Sequence, residues 1–433
     1  MSALDGPRKA VAGLLRRRSV KSVLMLAGGT SGGQALMILV TPLLTRLYAP
    51  DDFGLLAAFL AIMSPVLAVS SLRFELAVPL PEDDVEASAL VALSLGLVAA
   101  TSLAAWGAVY IGQDRLAAWL NVPTLGGILW LLPVGLVAAG GYKVLSYWAV
   151  RVQAFPSLAR TKVAQGVGAA VAQIGLGLVG AGGAGLIAGD IVGRASGSGT
   201  LGVLTFRSER WRWAGFRRAA VLRVAKAYRR YATMMGPASL LNIVTTQLPA
   251  ILLLSFFSTQ VAGWFALTTR VVAAPAAVVG NAVSHVYFEK AARVARSEPG
   301  TLRGLYLSAL KKMSVVGVLP LLAVGGVAPL VFRYVFGAEW SESGVYVLIL
   351  ALPFAVHFVV APLNQMLNVL RREDLLLAWN GLRFVLVGGL MLAGYVVWGE
   401  ARAVIACYGA ATVAAYLLLV ALTVRALPES HEA

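Results

Sequence analysis

The sequence is built around apolar stretches that are longer than a soluble core helix needs and that recur from one end of the chain to the other. A hydrocarbon layer ~30 Å thick is crossed by about 20 helical residues rising ~1.5 Å each, so runs of this length read as spans. Twelve windows qualify. Six lie near residues 23–48, 53–80, 87–111, 125–150, 162–182 and 185–206, and six near 231–256, 261–288, 313–336, 344–370, 375–398 and 401–424. The fifth and sixth are separated only by the short turn AGGAG at 181–185. Backbone polar groups find no partner in lipid, so the expected fold is an all-α polytopic membrane protein with about twelve transmembrane helices.

Composition agrees. Of 433 residues, 59% are hydrophobic and 13% charged, with a mean hydropathy of +0.80, whereas a soluble domain holds roughly 45–50% apolar and about 25% charged residues. Residues 1–21 are polar and basic and lead into an apolar run long enough to stay in the bilayer, so no removed signal peptide is expected. The one cysteine, Cys407, can form neither an intrachain disulfide nor a cysteine metal site by itself and reads as a small packing residue. There is no GxxxxGK[ST] loop, no GxGxxG after a soluble strand and no HExxH. No cofactor is expected, and no work driven by ATP held on this chain.

The basic residues set the expected orientation. With the N-terminus inside, 27 of the 36 Lys and Arg fall on inner segments, four (Arg46, Arg115, Arg333 and Arg402) on outer ones, and five (Arg73, Lys143, Arg194, Arg270 and Arg383) within spans. That asymmetry is the positive-inside pattern, and an even span count returns the C-terminus to the cytoplasmic side. The net charge of +16 is then topology signal and attraction to an anionic inner leaflet, with no nucleic acid as partner. A basic arm (1–22) precedes the spans and a tail (425–433) follows them. The basic loop 207–230, with Trp211, Trp213 and Phe216 among its arginines, divides the spans into lobes 23–206 and 231–424. Arm and loop read as surface-lying helices, with a solvated charge run as the alternative.

A weak internal echo accompanies that division. Pro42 and Pro249 are 207 residues apart, Gly54 and Gly263 are 209 apart, and Pro65 and Pro275 are 210 apart. Six helices per half place both halves in the same orientation, as in transporters with parallel repeats, although chance Pro and Gly matches are common in apolar sequence. Prolines within the spans permit kinks.

Charges deep in lipid cost ~2.5–3.5 kcal/mol each on the lenient insertion scale and mark function. Counting along the spans puts Arg194, Arg270 and Arg383 near mid-depth. Asp190 precedes Arg194 by four residues, an ion-pair spacing on one helix face, with a cation- or proton-linked acid as the sharper reading. Arg46, Arg73 and Lys143 lie near membrane edges, where Lys143 is expected to snorkel. Arg73 and Glu75, two apart, should face different ways on a helix. His357 and His285 read as hydrogen-bonded core residues or, less simply, proton carriers. Three deep arginines against one acid suit an anionic substrate, since Arg grips phosphate oxygens bidentately. Polar residues such as Gln34, Asn242, Gln247, Asn281, Asn364 and Gln365 add sugar-type hydrogen bonds or bond helix to helix.

TPLLTRLYAPDDFG (41–54) followed by LRFELAVPLPEDD (72–84), and TTRVVAAPAAVVGNAVSHVYF (268–288) after SLLNIVTTQLPAILLLSFFS, resemble the two half-openings of Wzx-type polysaccharide and O-antigen flippases of the MOP exporter superfamily. The likeness runs over roughly 20–398. It implies two six-helix lobes around a central cationic cavity that accepts an undecaprenyl-pyrophosphate-linked glycan, and a setting beside a polysaccharide polymerase and chain-length machinery in a bacterial inner membrane. By position it assigns Arg46, Arg73 and Arg270 to that cavity; depth adds Arg194 and Arg383, with Asp190 and His357 as coupling candidates. The two extra C-terminal helices of lipid II flippases have no counterpart in the chain. The rivals are a MATE-like cation or drug antiporter, which would want a buried acidic site, and a membrane polysaccharide polymerase or ligase, which would want a large outer loop. The expected activity is transport, not enzymatic catalysis.

Overall fold

The computed structural model describes residues 28–29 and 32–428. The basic arm, the first residues of the first expected span, the end of the tail and the side chains of His285 and Asn281 lie outside that description. Among the described residues every regular element is helical, and fifteen helices have nine residues or more. They are α1 (Gly32–Leu47), α2 (Pro50–Val69), α3 (Asp84–Trp119), α4 (Leu131–Arg151), α5 (Phe155–Leu178), α6 (Gly182–Ala195), α7 (Ser198–Phe206) and α8 (Arg218–Ala227). They continue as α9 (Gly236–Phe256), α10 (Thr259–Thr268), α11 (Ala274–Ser297), α12 (Leu302–Val335), α13 (Ser341–Val360), α14 (Glu373–Trp398) and α15 (Ala401–Ala426).

Among the described residues, seven helices are long and apolar enough to cross a membrane: α2, α3, α9 with its lead-in turn, α12, α13 with its flanking turns, α14 and α15. The outer flanks expose large apolar side chains such as Ile111 (83%) and Tyr110 (80%), a surface suited to lipid. Several hydroxyl side chains within the helices bond back onto their own helix, as Thr41 does to the Met37 carbonyl (2.7 Å) and Thr245 to that of Leu241 (2.7 Å). Asp83 caps α3 by accepting the Val85 amide (3.0 Å) and Ser258 caps α10 by accepting that of Val261 (3.3 Å).

Several expected boundaries move, each for a local reason. The second span ends at Val69 instead of continuing to residue 80, because Leu72 and Arg73 take positive φ values of 47° and 65°. Glu75 is fully buried in the short turn that follows, where it accepts from Ser71 Oγ (2.5 Å) and pairs with Lys143 Nζ (2.7 Å) and Arg73 (3.5 Å). Arg73 and Glu75 therefore meet, contrary to the helical expectation, and Lys143 pairs instead of snorkelling. The sixth span breaks at Gly197 (φ 87°) into α6 and α7. The eighth is interrupted by a π-helical turn, Thr269–Ala273.

The basic loop is also structured. A 3₁₀ turn (Trp213–Phe216) leads into α8, whose basic residues are exposed. Trp211 does not lie at the surface: it is 5% exposed, with its ring centroid 5.2 Å from that of Trp148 and 5.0 Å from that of Phe206. Gly215 fits directly on the backbone at Ser88, and the Arg212 amide donates to Ser88 Oγ (3.1 Å). The loop is thus held against α3 and α4.

The two halves meet along α2, which packs on α9 and α10. Within each half, α5 packs on α6, α12 on α13, and α14 on α15. A core of Leu44, Phe53, Phe59, Leu254, Phe265 and Tyr346 runs across the junction.

Candidate functional site: a cationic cavity between the halves

A cavity of about 900 Å³ lies between the halves. Its first-half wall exists because glycines let three helices approach closely. A Cβ on Gly33 of α1 would lie 2.6 Å from the Lys162 carbonyl oxygen, and one on Gly166 of α5 would lie 2.7 Å from that of Gly33. Gly189 and Gly193 of α6 fit in the same way against Gln173 and Ala169. This packing brings Gln34, Lys162, Gln165, Gln173, Asp190 and Arg194 to one wall. Gln165 donates to the Arg194 carbonyl (3.1 Å) and Tyr48 donates to that of Gln173 (2.6 Å), which ties the wall together.

The opposite wall carries Arg270 and Arg383. Arg270 sits in the π turn, where the wider spiral accommodates an extra residue and such turns commonly mark functional sites. Its guanidinium carbon lies 5.8 Å from the Phe53 ring centroid, across the junction of the halves. The Arg383 guanidinium lies 5.5 Å from the centroid of Trp379, whose indole N–H donates to the Ala415 carbonyl (2.7 Å). Beside them His357 Nδ1 shares a hydrogen bond with Tyr416 Oη (2.7 Å).

The charge balance is one-sided. Among the described residues, Lys162, Arg194, Arg270 and Arg383 line the cavity, against one lining carboxylate, Asp190. Arg194 Nε lies 2.6 Å from Asp190 Oδ2; among the described residues no carboxylate pairs with the other three cations. Apolar walls keep the field of these charges unscreened, so the space favours an anion.

Arg194, Arg270, Arg383, Asp190 and His357 are thus brought to one cavity, and Arg46 and Arg73 are not. Arg46 is exposed at the far end of α1, donating to the Tyr334 carbonyl (3.3 Å). Arg73 belongs to the Glu75 cluster. Sequence reasoning missed Lys162. Its helix begins at Phe155, so the residue lies two turns inside α5; the ART preceding it reads as a loop only if the span starts at 162.

The halves touch most closely at one end. Among the described residues, every hydrogen bond between 32–206 and 236–426 gathers there: Arg46 to Tyr334, Trp340 Nε1 to the Thr45 carbonyl (3.2 Å), and Thr259 to Asp51. This is the end opposite the basic loop. Phe53 and Phe265 form the roof of the cavity beneath it.

A family model described as polysaccharide biosynthesis protein matches residues 43–345, a range that takes in Lys162, Asp190, Arg194 and Arg270 of the cavity lining. The chain belongs to that family. No curated protein sequence matches. Among solved structures, the chain is similar to an inward-facing multidrug resistance MATE family transporter of the MOP superfamily. That match has a TM-score of 0.71 at 15% identity, over 92% of this chain and 95% of the other. It is equally similar in fold to the lipid II flippase MurJ in an inward closed conformation, with a TM-score of 0.71 at 10% identity, over 92% of this chain and 87% of the other. The MATE multidrug transporter DinF-BH in complex with R6G follows with a TM-score of 0.60 at 14% identity, over 94% and 95% of the two chains. At these identities the likeness concerns the fold alone. The chain is a multi-pass membrane protein with a central cavity.

Proposed function

We propose that the protein carries an undecaprenyl-pyrophosphate-linked oligosaccharide, an O-antigen or exopolysaccharide repeat unit, from the inner to the outer leaflet of a bacterial inner membrane. The single observation that carries this reading is the cavity's lining, among the described residues, of Lys162, Arg194, Arg270 and Arg383 against Asp190 alone. Three guanidiniums and an ammonium suit the oxygens of a pyrophosphate, because charge-assisted hydrogen bonds strengthen where water is sparse. The family's link to polysaccharide biosynthesis and a fold shared with a lipid II flippase support the substrate class.

In this reading lobes 23–206 and 231–424 rock about the α2 junction between inward-open and outward-open states. The hydrogen bonds gathered at Thr45, Arg46 and Asp51 would close the outer side while the head group enters from the cytoplasmic side. Both termini then lie in the cytoplasm. The polyprenyl tail stays in lipid and no covalent chemistry is required, so the protein is not an enzyme. Asp190 and His357 remain the candidates for coupling to an ion gradient.

The test is Arg270→Ala, scored for surface polysaccharide against protein level in the membrane. Loss of export at normal level is expected; normal export would remove Arg270 from the site. The likeness to MATE transporters favours one rival, a cation or drug antiporter. Efflux of cationic dyes by the purified protein, without translocation of a lipid-linked sugar, would put that rival first.

A further inference from the structure

Asp190 deserves a role of its own because of where its carboxylate points. It is held on Arg194 by the i,i+4 spacing, yet the pair is not sealed away: the Arg194 side chain is 34% exposed and that of Asp190 22%, both toward the cavity. An ion pair serving only to hold the helix gains nothing from facing the one space a substrate must enter. One helix away, Lys162 Nζ lies 3.4 Å from Gln165 Oε1 and 4.7 Å from the Tyr142 ring centroid. Gln165, which accepts from Lys162, also donates to the Arg194 carbonyl, so one side chain spaces the two cations.

A carboxylate on a guanidinium uses the same planar fork of N–H donors that a phosphate would use. The structure assigns Asp190 as an internal stand-in for the substrate's phosphate, with Lys162 as the second cation of that subsite. Before the substrate binds, Asp190 occupies Arg194. A phosphate-headed lipid displaces it and spans Arg194 and Lys162. As the phosphate leaves, Asp190 returns to Arg194 and prevents the cation from holding its cargo. A carrier must bind firmly enough to load and weakly enough to unload, and an intramolecular competitor sets that balance. The assignment rests on the reading of the protein as a carrier of a phosphate-headed lipid.

The experiment titrates farnesyl pyrophosphate, a sugar-free probe, onto the purified full-length chain in nanodiscs. Asp190→Asn should bind about fivefold more tightly than the unmodified protein, the competition of a partly exposed ion pair having been removed. The same variant should export less polysaccharide per molecule. Lys162→Gln should bind roughly tenfold more weakly through loss of a charge-assisted contact. If Asp190→Asn is poorly produced, Asp190→Ser removes the same charge with less bulk. Equal or weaker binding by an Asp190 variant with an unaltered melting curve overturns the stand-in role. Unchanged binding by Lys162→Gln overturns the two-cation subsite. If Arg270→Ala weakens binding while both of these variants behave as the unmodified chain, only this inference falls. If the unmodified chain does not bind the probe, the transport reading itself falls.

Discussion

Gly54 and Gly263, one from each half, lie against each other's helices where α2 crosses α10. A Cβ on Gly54 would sit 1.8 Å from the Thr259 carbonyl oxygen, and one on Gly263 would sit 1.8 Å from that of Pro50. The two glycines are also partners in the internal echo, 209 residues apart in sequence. Backbone lies against backbone at the point where the halves close, and neither position has room for a methyl group.

Gly54→Ala should therefore pry the closure open. Overpacking of this kind costs ~1–3 kcal/mol, enough to lower Tm by a few degrees. In a Cys407→Ser background, Asp51→Cys should react faster with a membrane-impermeant thiol reagent once Gly54→Ala is added. An unchanged rate would show that the closure does not depend on the glycine contact.

The Glu75 cluster predicts a reciprocal pair of effects. Glu75→Ala leaves Lys143 and Arg73 without their buried counter-charge, a loss of about 3 kcal/mol. Adding Lys143→Met removes one of the two uncompensated charges and should restore part of the lost stability. Thermal melting of the two variants in detergent distinguishes this from independent contributions, which would make the double variant worse than the single.

Trp379 has two duties, and they can be separated. Trp379→Ala removes a buried ring, at ~3–5 kcal/mol, together with the surface on which Arg383 rests. Trp379→Phe keeps a ring beneath Arg383 and gives up chiefly the hydrogen bond to Ala415, about 1 kcal/mol. Export per molecule should be closer to normal in Trp379→Phe than in Trp379→Ala. Equal export by both would show that Arg383 does not need its platform.

Orientation is directly measurable. A fluorescent protein fused after residue 433 should fluoresce, and alkaline phosphatase fused there should be inactive, if the C-terminus is cytoplasmic. Phosphatase inserted at residues 121–122, in the turn after α3, should be active. The opposite pattern would invert the proposed direction of loading.

Much of the site was legible because depth can be counted. Arg194, Arg270 and Arg383 stand in apolar sequence far from either end of a span, and all three line the cavity. Edge positions carried no such information. Arg46 and Arg73 lie next to turns, and a turn decides whether a side chain reaches a cavity, a carbonyl or a carboxylate. The break after Val69 was hidden because Ser70 and Ser71 interrupt an otherwise apolar run that sequence reading continued to Leu80. Lys162 was hidden for the opposite reason. It follows Arg160 closely enough to pass for one more loop charge, although α5 had already begun at Phe155. Both errors come from reading hydropathy, which reports solvent preference averaged over a window, where backbone dihedral angles decide the outcome.

The π turn at Thr269–Ala273 gives the second half a further property. It holds one residue more than a regular helical turn would. Shifting the surplus past Arg270 would rotate the residue by about 100°, the angular step of one residue in an α-helix. The guanidinium would swing away from Phe53 while the helix kept its place in the membrane. Such a shift would reorient the residue proposed to hold the cargo within the helix itself, in addition to any rocking of the lobes.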